Sequence, residues 1–324
     1  MFQIKRSFVS LAAILSILIF ASQYISAQLK LPRPSQAASV TQRVGVTDIT
    51  VTYSRPGVKG RAIFGDPPKD SYAKGEATLD DQYKRPEGMV IVPFGHVWRS
   101  GANEATEFVV TDDVLINGQK LPAGSYSLHT IPGKDEWTIV FNGTANQWGS
   151  FDYDPAKDTL RVKAKPEWTK DSQEWLEYSF DPVTDNSATV NIRWEKVRVP
   201  FNVQVDVVST TMAHARDAVS AAKAGDWRTP FNAAQYAQQN KMNDDAGRWF
   251  DQSLKALDAS IATKETFQNL SAKANVLYVS GKKDEAFAVA QKAIERGKAD
   301  KVDTAAFEKR IADLKAIIPA LVTL

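Results

Sequence analysis

The densest grouping of side chains able to do chemistry lies in one stretch, His96 to Thr106 (HVWRSGANEAT). A guanidinium presents a fork of donors that matches a carboxylate or phosphate, and an indole offers a flat face for stacking. Trp98, Arg99 and Asn103 close together in the chain therefore point to a grip on a carboxylate, a phosphate or a sugar, with Glu104 and Thr106 adding polar groups. An earlier stretch, Tyr53 to Arg61 (YSRPGVKGR), adds Arg55 and Arg61 to the same inventory. The competing reading is structural. Arg99 or Arg61 pairs internally with Glu104, and Gly101-Ala102-Asn103 forms a tight turn that needs Gly and Asn.

Three histidines are present: His96, His129 and His214. With Glu104, His96 and His129 would complete a two-histidine, one-carboxylate metal set. No short ligand spacing supports it, so the sequence assigns no metal and no cofactor. His214 falls in an alanine-rich stretch and reads as a packed or surface residue. Nucleophilic catalysis has little support. There is no G-x-S-x-G elbow, and Ser100 with His96 four positions away is not a triad. Asp152, Asp154 and Asp158 lack the glycine and terminal glutamate of a calcium loop, and Asp154-Pro155 reads as a turn. Neither a phosphate-binding loop nor a dinucleotide fingerprint occurs. The chain has no cysteine, which removes disulfides, thiol catalysis and thiolate metal sites.

The elements that must position these groups change character near residue 209. Over 47–208 apolar residues alternate with polar ones, and β-branched and aromatic types are frequent. Asp48–Tyr53, Glu107–Thr111, Tyr126–Ile131, Glu136–Phe141, Trp175–Phe180, Thr189–Trp194 and Val197–Val208 read as strands. Asn117-Gly118 marks a two-residue hairpin turn. Many short strands without intervening helices predict an antiparallel β-sandwich. Six of the eight tryptophans fall between Trp98 and Trp194 and are expected to fill its core. Residues 66–88 are polar and unpatterned and read as a long surface loop, and 28–46 as an extended lead-in. Over 209–324 apolar residues recur at three and four, giving six helices: about Thr210–Ala224, Thr229–Gln239, Asp244–Leu257, Lys264–Ser280, Lys283–Arg296 and Thr304–Ile318. Gly225, Gly281 and Gly297 are expected to end helices, and Asn243 and Thr304 to cap them. Setting Ala246 beside Ala286 also brings Ala234 beside Ala274 and Ala237 beside Leu277. That echo resembles tetratricopeptide hairpins, with a period of 40 residues instead of about 34. The fold class expected is thus α+β, a sandwich followed by helical hairpins.

The N-terminus carries Lys5 and Arg6, then the uncharged run Phe8 to Phe20, then a stretch ending in small residues at Ala27. This is the layout of a secretory signal over residues 1–27, and it predicts an exported protein, periplasmic or extracellular. The whole chain has 40 Lys+Arg against 38 Asp+Glu, and removal of Lys5 and Arg6 leaves 38 of each. A neutral product without a basic stripe is not expected to bind nucleic acid or, once the signal is cut, a membrane.

Ile49–Gly65, Ile91–Thr106 (IVPFGHVWRSGANEAT) and Ala123–Val140, followed by Trp148-Gly149 and Arg161-Val162, together resemble the DUF2911 family, exported bacterial proteins without an assigned function. The resemblance spans roughly residues 30–205 and departs from the family pattern between Gly65 and Val90. It implies a β-sandwich and no reaction. The sequence as a whole reads as an exported binding or interaction protein, with a small-molecule or glycan patch around Trp98–Thr106 and helices for a protein or peptide partner. Hydrolysis of an envelope polymer or glycan, metal-assisted through His96 and His129, is the enzymatic alternative, and a purely structural platform is the third.

Overall fold

The structure, a computed structural model, describes residues 31–67 and 89–321. Residues 1–27 and most of the 66–88 segment lie outside the described residues. The chain is α+β: antiparallel sheets followed by six helices among the described residues.

Strand β1 (Gln36–Val44) turns over Gly45, whose φ of +60° is left-handed, into β2 (Thr47–Arg55). Together with β5 (Thr106–Val110), β8 (Gly124–Ile131), β9 (Trp137–Asn142) and β10 (Asp158–Ala164) they form a six-stranded sheet in the order β1-β2-β5-β8-β9-β10. β1 replaces much of the expected lead-in. It pairs with β2 at nine positions, and the hydroxyls of Ser39 and Thr41 meet those of Thr52 and Thr50 at 3.1 and 2.9 Å. The strand is weakly legible because its inward positions hold Ala38, Val40 and Gln42 before the one fully buried residue, Val44.

The second sheet runs β11 (Glu167–Val183), β12 (Ser187–Gln204), β6 (Val114–Ile116), β7 (Gln119–Leu121). Asn117 and Gly118 join β6 to β7 with φ of +47° and +82°, the handedness a two-residue hairpin turn needs. The Asn117 side chain also accepts from the Asn202 amide (2.8 Å) and donates to the Lys163 carbonyl on β10 (2.9 Å), linking the two sheets. A short parallel pair, β3 (Phe64–Gly65) with β4 (Val92–Pro93), completes the strands.

Period-two alternation points one face of each sheet inward. Val51, Phe108, Leu128 and Phe141 from the first and Val190, Trp194, Val199 and Phe201 from the second belong to one buried cluster. Burying each such side chain contributes about 1.5–3 kcal/mol. Of the six tryptophans expected there, Trp98, Trp137 and Trp194 are buried. Trp148, Trp168 and Trp175 are 52, 51 and 39 % exposed, which corrects that expectation. Trp175 precedes buried Leu176 and so takes the opposite face of β11. Trp168 is separated from it by a register shift.

The helical region begins at Val207. The stretch Val197–Val208 is not all strand: β12 ends at Gln204, and the Asp206 carboxylate accepts from the Ser209 amide (3.1 Å), capping α1 (Val207–Ser220). α2 (Arg228–Gln239), α3 (Asn243–Thr263), α4 (Phe267–Val279), α5 (Lys283–Ala299) and α6 (Ala305–Leu321) follow. Gly225 and Gly281 lie between helices at φ +90° and +89°. Asn243 is already inside α3 and makes no cap bond. The Thr304 hydroxyl donates to the Glu308 carboxylate (2.6 Å). Ala234, Ala237, Ala246, Ala274, Leu277 and Ala286, the residues of the internal echo, are all buried. Residues Asp258–Thr263, where the 40-residue period carries its excess over about 34, lengthen α3 and make no loop.

Gly297 does not end a helix. It is buried within α5, and a β-carbon there would lie 2.4 Å from Thr304 Cγ2 and 3.1 Å from the Phe267 ring. Gly297→Ala is expected to destabilise the helical region by about 1–3 kcal/mol through overpacking, despite alanine's higher helix propensity. Urea titration followed by helical circular dichroism measures it, and an unchanged midpoint would contradict the close approach.

At the joint, Val207 packs against the β core and Val208 against the helical core. His214 Nε2 lies 2.6 Å from Asp112 Oδ1, just before β6. No described helix is long and apolar enough to cross a membrane.

Candidate functional site

The loop Arg99–Ala105 is shaped by its own backbone. Trp98 exchanges amide hydrogen bonds with Thr130 on β8 (2.8 and 2.9 Å), fixing the entry to the loop. Ser100 and Asn103 then adopt φ of +52° and +60°. Gly101 passes so close to β2 and β5 that a β-carbon would lie 2.8 Å from Thr106 Oγ1 and 3.3 Å from the Ser54 carbonyl. The Ser100 carbonyl accepts from Thr106 Oγ1 and from the Tyr178 hydroxyl, each at 2.9 Å. Burial pushes the Tyr178 phenol far above its ordinary range, so it stays a donor. The tight turn read from Gly101-Ala102-Asn103 is therefore real.

The loop nonetheless opens a cleft of about 230 Å³ beside it, lined by Arg61, Trp98, Arg99, Asn103, Ile91 and Trp194 among others. Trp98 and Trp194 stack with ring centroids 5.6 Å apart and planes 21° from parallel. Trp98 Nε1 donates to the Gly101 carbonyl (3.1 Å). Arg99 Nη1 donates to the Asn103 carbonyl (2.6 Å), which also accepts from the Gly149 amide (3.0 Å). The Asn103 amide donates to the Ser35 carbonyl (3.0 Å), and Arg61 to the carbonyls of Gly57 (2.6 Å) and Val58 (3.1 Å). Backbone contacts thus orient both guanidinium groups and the amide, while no Asp or Glu among the described residues lines the cleft.

The other sequence-selected residues lie elsewhere. Arg55 Nε donates to the Leu176 carbonyl (2.7 Å), and its guanidinium lies 3.7 Å from Glu177. Glu104 pairs with Arg33 at 2.6 Å; the pairing with Arg99 or Arg61 read from the sequence does not form. Burial pushes the Glu104 carboxyl up, but the hydrogen bond and charge of Arg33 outweigh it and hold it below the usual range. Arg33 also sits over the exposed Trp148 ring, 5.6 Å from its centroid. His96 is buried. His129, fully buried, has its Nε2 3.1 Å from Ser127 Oγ and its Nδ1 3.4 Å from Ser150 Oγ, with the Tyr153 ring 4.9 Å away. Among the described residues no three His, Asp or Glu side chains are grouped to hold a metal, so His96, His129 and Glu104 do not form the ligand set considered from the sequence. Asp154 caps a short 3-10 turn at Pro155–Lys157, as a turn and not a calcium loop.

Sequence reasoning missed Ile91 and Trp194 as cleft residues. Trp194 was legible only as the end of an inward strand face, with Val190 and Ile192. Its approach to Trp98 is a long-range contact that no local pattern carries.

A family model described as "Protein of unknown function (DUF2911)" matches residues 35–203. Neither a curated protein nor a solved structure matches the chain. The matched span holds the strands of both sheets, save Gln204 at the end of β12, and all the residues of the loop. It covers more than half of the 324 residues, and the chain belongs to the DUF2911 family.

Proposed function

We propose that this is an exported binding protein, a β-sandwich that takes a small polar ligand in the Arg61–Trp98–Arg99–Asn103 cleft and carries tetratricopeptide-like hairpins for a protein or peptide partner. One observation carries the reading. Four of the eight side chains chosen for ligand chemistry, from two separate stretches, line a single cleft with an aromatic wall. Small pockets that combine an apolar wall with a few oriented polar groups are the usual form of a ligand site. The helical half offers a second cleft, of about 250 Å³, among α4, α5 and α6. Tyr278, Phe287, Phe307 and Leu314 line it, Arg310 is the one charged residue of its lining among the described residues, and Lys315 lies over the Phe287 ring. That wall suits a peptide with apolar and acidic residues.

The test is a thermal-shift screen of small polar compounds on the signal-free chain, repeated on Arg99→Gln and Glu104→Gln. A ligand held in the cleft is expected to lose about tenfold or more in affinity with Arg99→Gln, the loss of a charge-assisted hydrogen bond, and little with Glu104→Gln. If folded Arg99→Gln binds every hit as tightly as the unmodified protein, the cleft is not the site.

A further inference from the structure

We infer that the cleft selects a small organic anion, its carboxylate or phosphate head at Arg61 and its apolar body against Ile91, Trp98 and Trp194. This rests on the binding reading above and adds the ligand's class. Three observations carry it. Among the described residues the lining contains two guanidinium groups and no carboxylate. Backbone carbonyls take two of Arg61's five N–H donors and no carboxylate is paired with it among the described residues, while the side chain remains exposed. Trp194 lines the same cleft at 1 % exposure, and its Nε1–H is a buried donor without a hydrogen-bond partner. Buried donors are almost always satisfied, so this one marks a place in the wall where an acceptor is missing. An anion supplies acceptors and charge together. The cleft is smaller than the pockets of drug-sized ligands, which begin at about 300 Å³, and this limits the body to roughly one ring or a short chain.

The probes are benzoate, phenyl phosphate and the neutral isostere benzamide, titrated calorimetrically against the full signal-free chain and against Arg61→Gln and Arg61→Lys. At least one anion is expected to bind saturably, more weakly as sodium chloride is raised. Benzamide is expected to bind at least about tenfold more weakly. Arg61→Gln is expected to weaken the anion about tenfold or more, and Arg61→Lys less, because it keeps the charge and loses the fork. Preference for benzoate or for phenyl phosphate identifies the head group. Equal binding of benzamide, or anion binding unchanged in folded Arg61→Gln, overturns the anion inference and leaves the binding reading standing. If no probe binds while the screen yields a neutral ligand sensitive to Arg99→Gln, the inference again falls alone. If the screen also yields no ligand, both fall together.

Discussion

Trp194→Ala is expected to lower the stability of the β region by about 3–5 kcal/mol, the usual loss for emptying a buried tryptophan site. Trp194 is 1 % exposed, stacks on Trp98 and meets the edge of Phe64 at a centroid distance of 5.8 Å. Its ring neighbours are Trp98, outside both sheets, and Phe64 of the short β3–β4 pair, so no single element can close over the space. The orphan Nε1–H leaves with the ring, which offsets a small part of the loss. Urea unfolding followed by near-ultraviolet circular dichroism should show the midpoint falling. A loss below about 1 kcal/mol would mean that the sheets collapse onto the gap and that the stack with Trp98 does not organise the core.

Leu257→Ala should have the second-largest effect, about 2–5 kcal/mol, and in the other half of the molecule. Leu257 is 1 % exposed near the C-terminal end of α3 and belongs to a buried cluster separate from that of the sheets. Two cores in one chain predict two unfolding transitions. Trp194→Ala should move the one seen by near-ultraviolet signal, and Leu257→Ala the one seen by helical signal. The halves touch through Val207 and through His214 with Asp112. A displacement of both transitions by either substitution would show that this contact couples them strongly.

The strands that alternate clearly were legible because their inward residues are large. β2, β5, β8, β9 and the inner part of β12 lie where Ile49, Phe108, Leu128, Phe141 and Ile192 place them. β1 was not, because Ala38, Val40 and Gln42 give a faint pattern before Val44, and pairing with β2 completes it. The end of β12 was misplaced because valines at 205, 207 and 208 suit strand and helix alike, and the Asp206 cap decides between them. Gly297 shows the limit of reading glycine as punctuation. The same residue type serves a left-handed turn at Gly281 and a close helix contact at Gly297, and only the neighbours tell them apart. At the site, the motif named Trp98, Arg99 and Asn103, and Arg61 arrived from a second motif. Glu104 was misassigned because its partner, Arg33, lies 71 residues earlier in a stretch with no pattern.

The place of β12 in the second sheet has a consequence for how the molecule is made. β6 pairs on one side with β7, two residues away in the chain, and on the other with Val203 and Gln204 at the very end of β12. Synthesis runs from the N-terminus, so the β6–β7 hairpin, complete at Leu121, exists throughout the synthesis of the chain from there to Val203 before its second neighbour emerges. Contacts of such long separation form slowly, and an uncovered strand edge invites pairing with other chains. The helices that follow make mostly local contacts and fold quickly once released. The slowest and most aggregation-prone interval in the life of this chain therefore ends when residue 204 becomes free, and a truncation just before it should leave an open sheet seeking a partner.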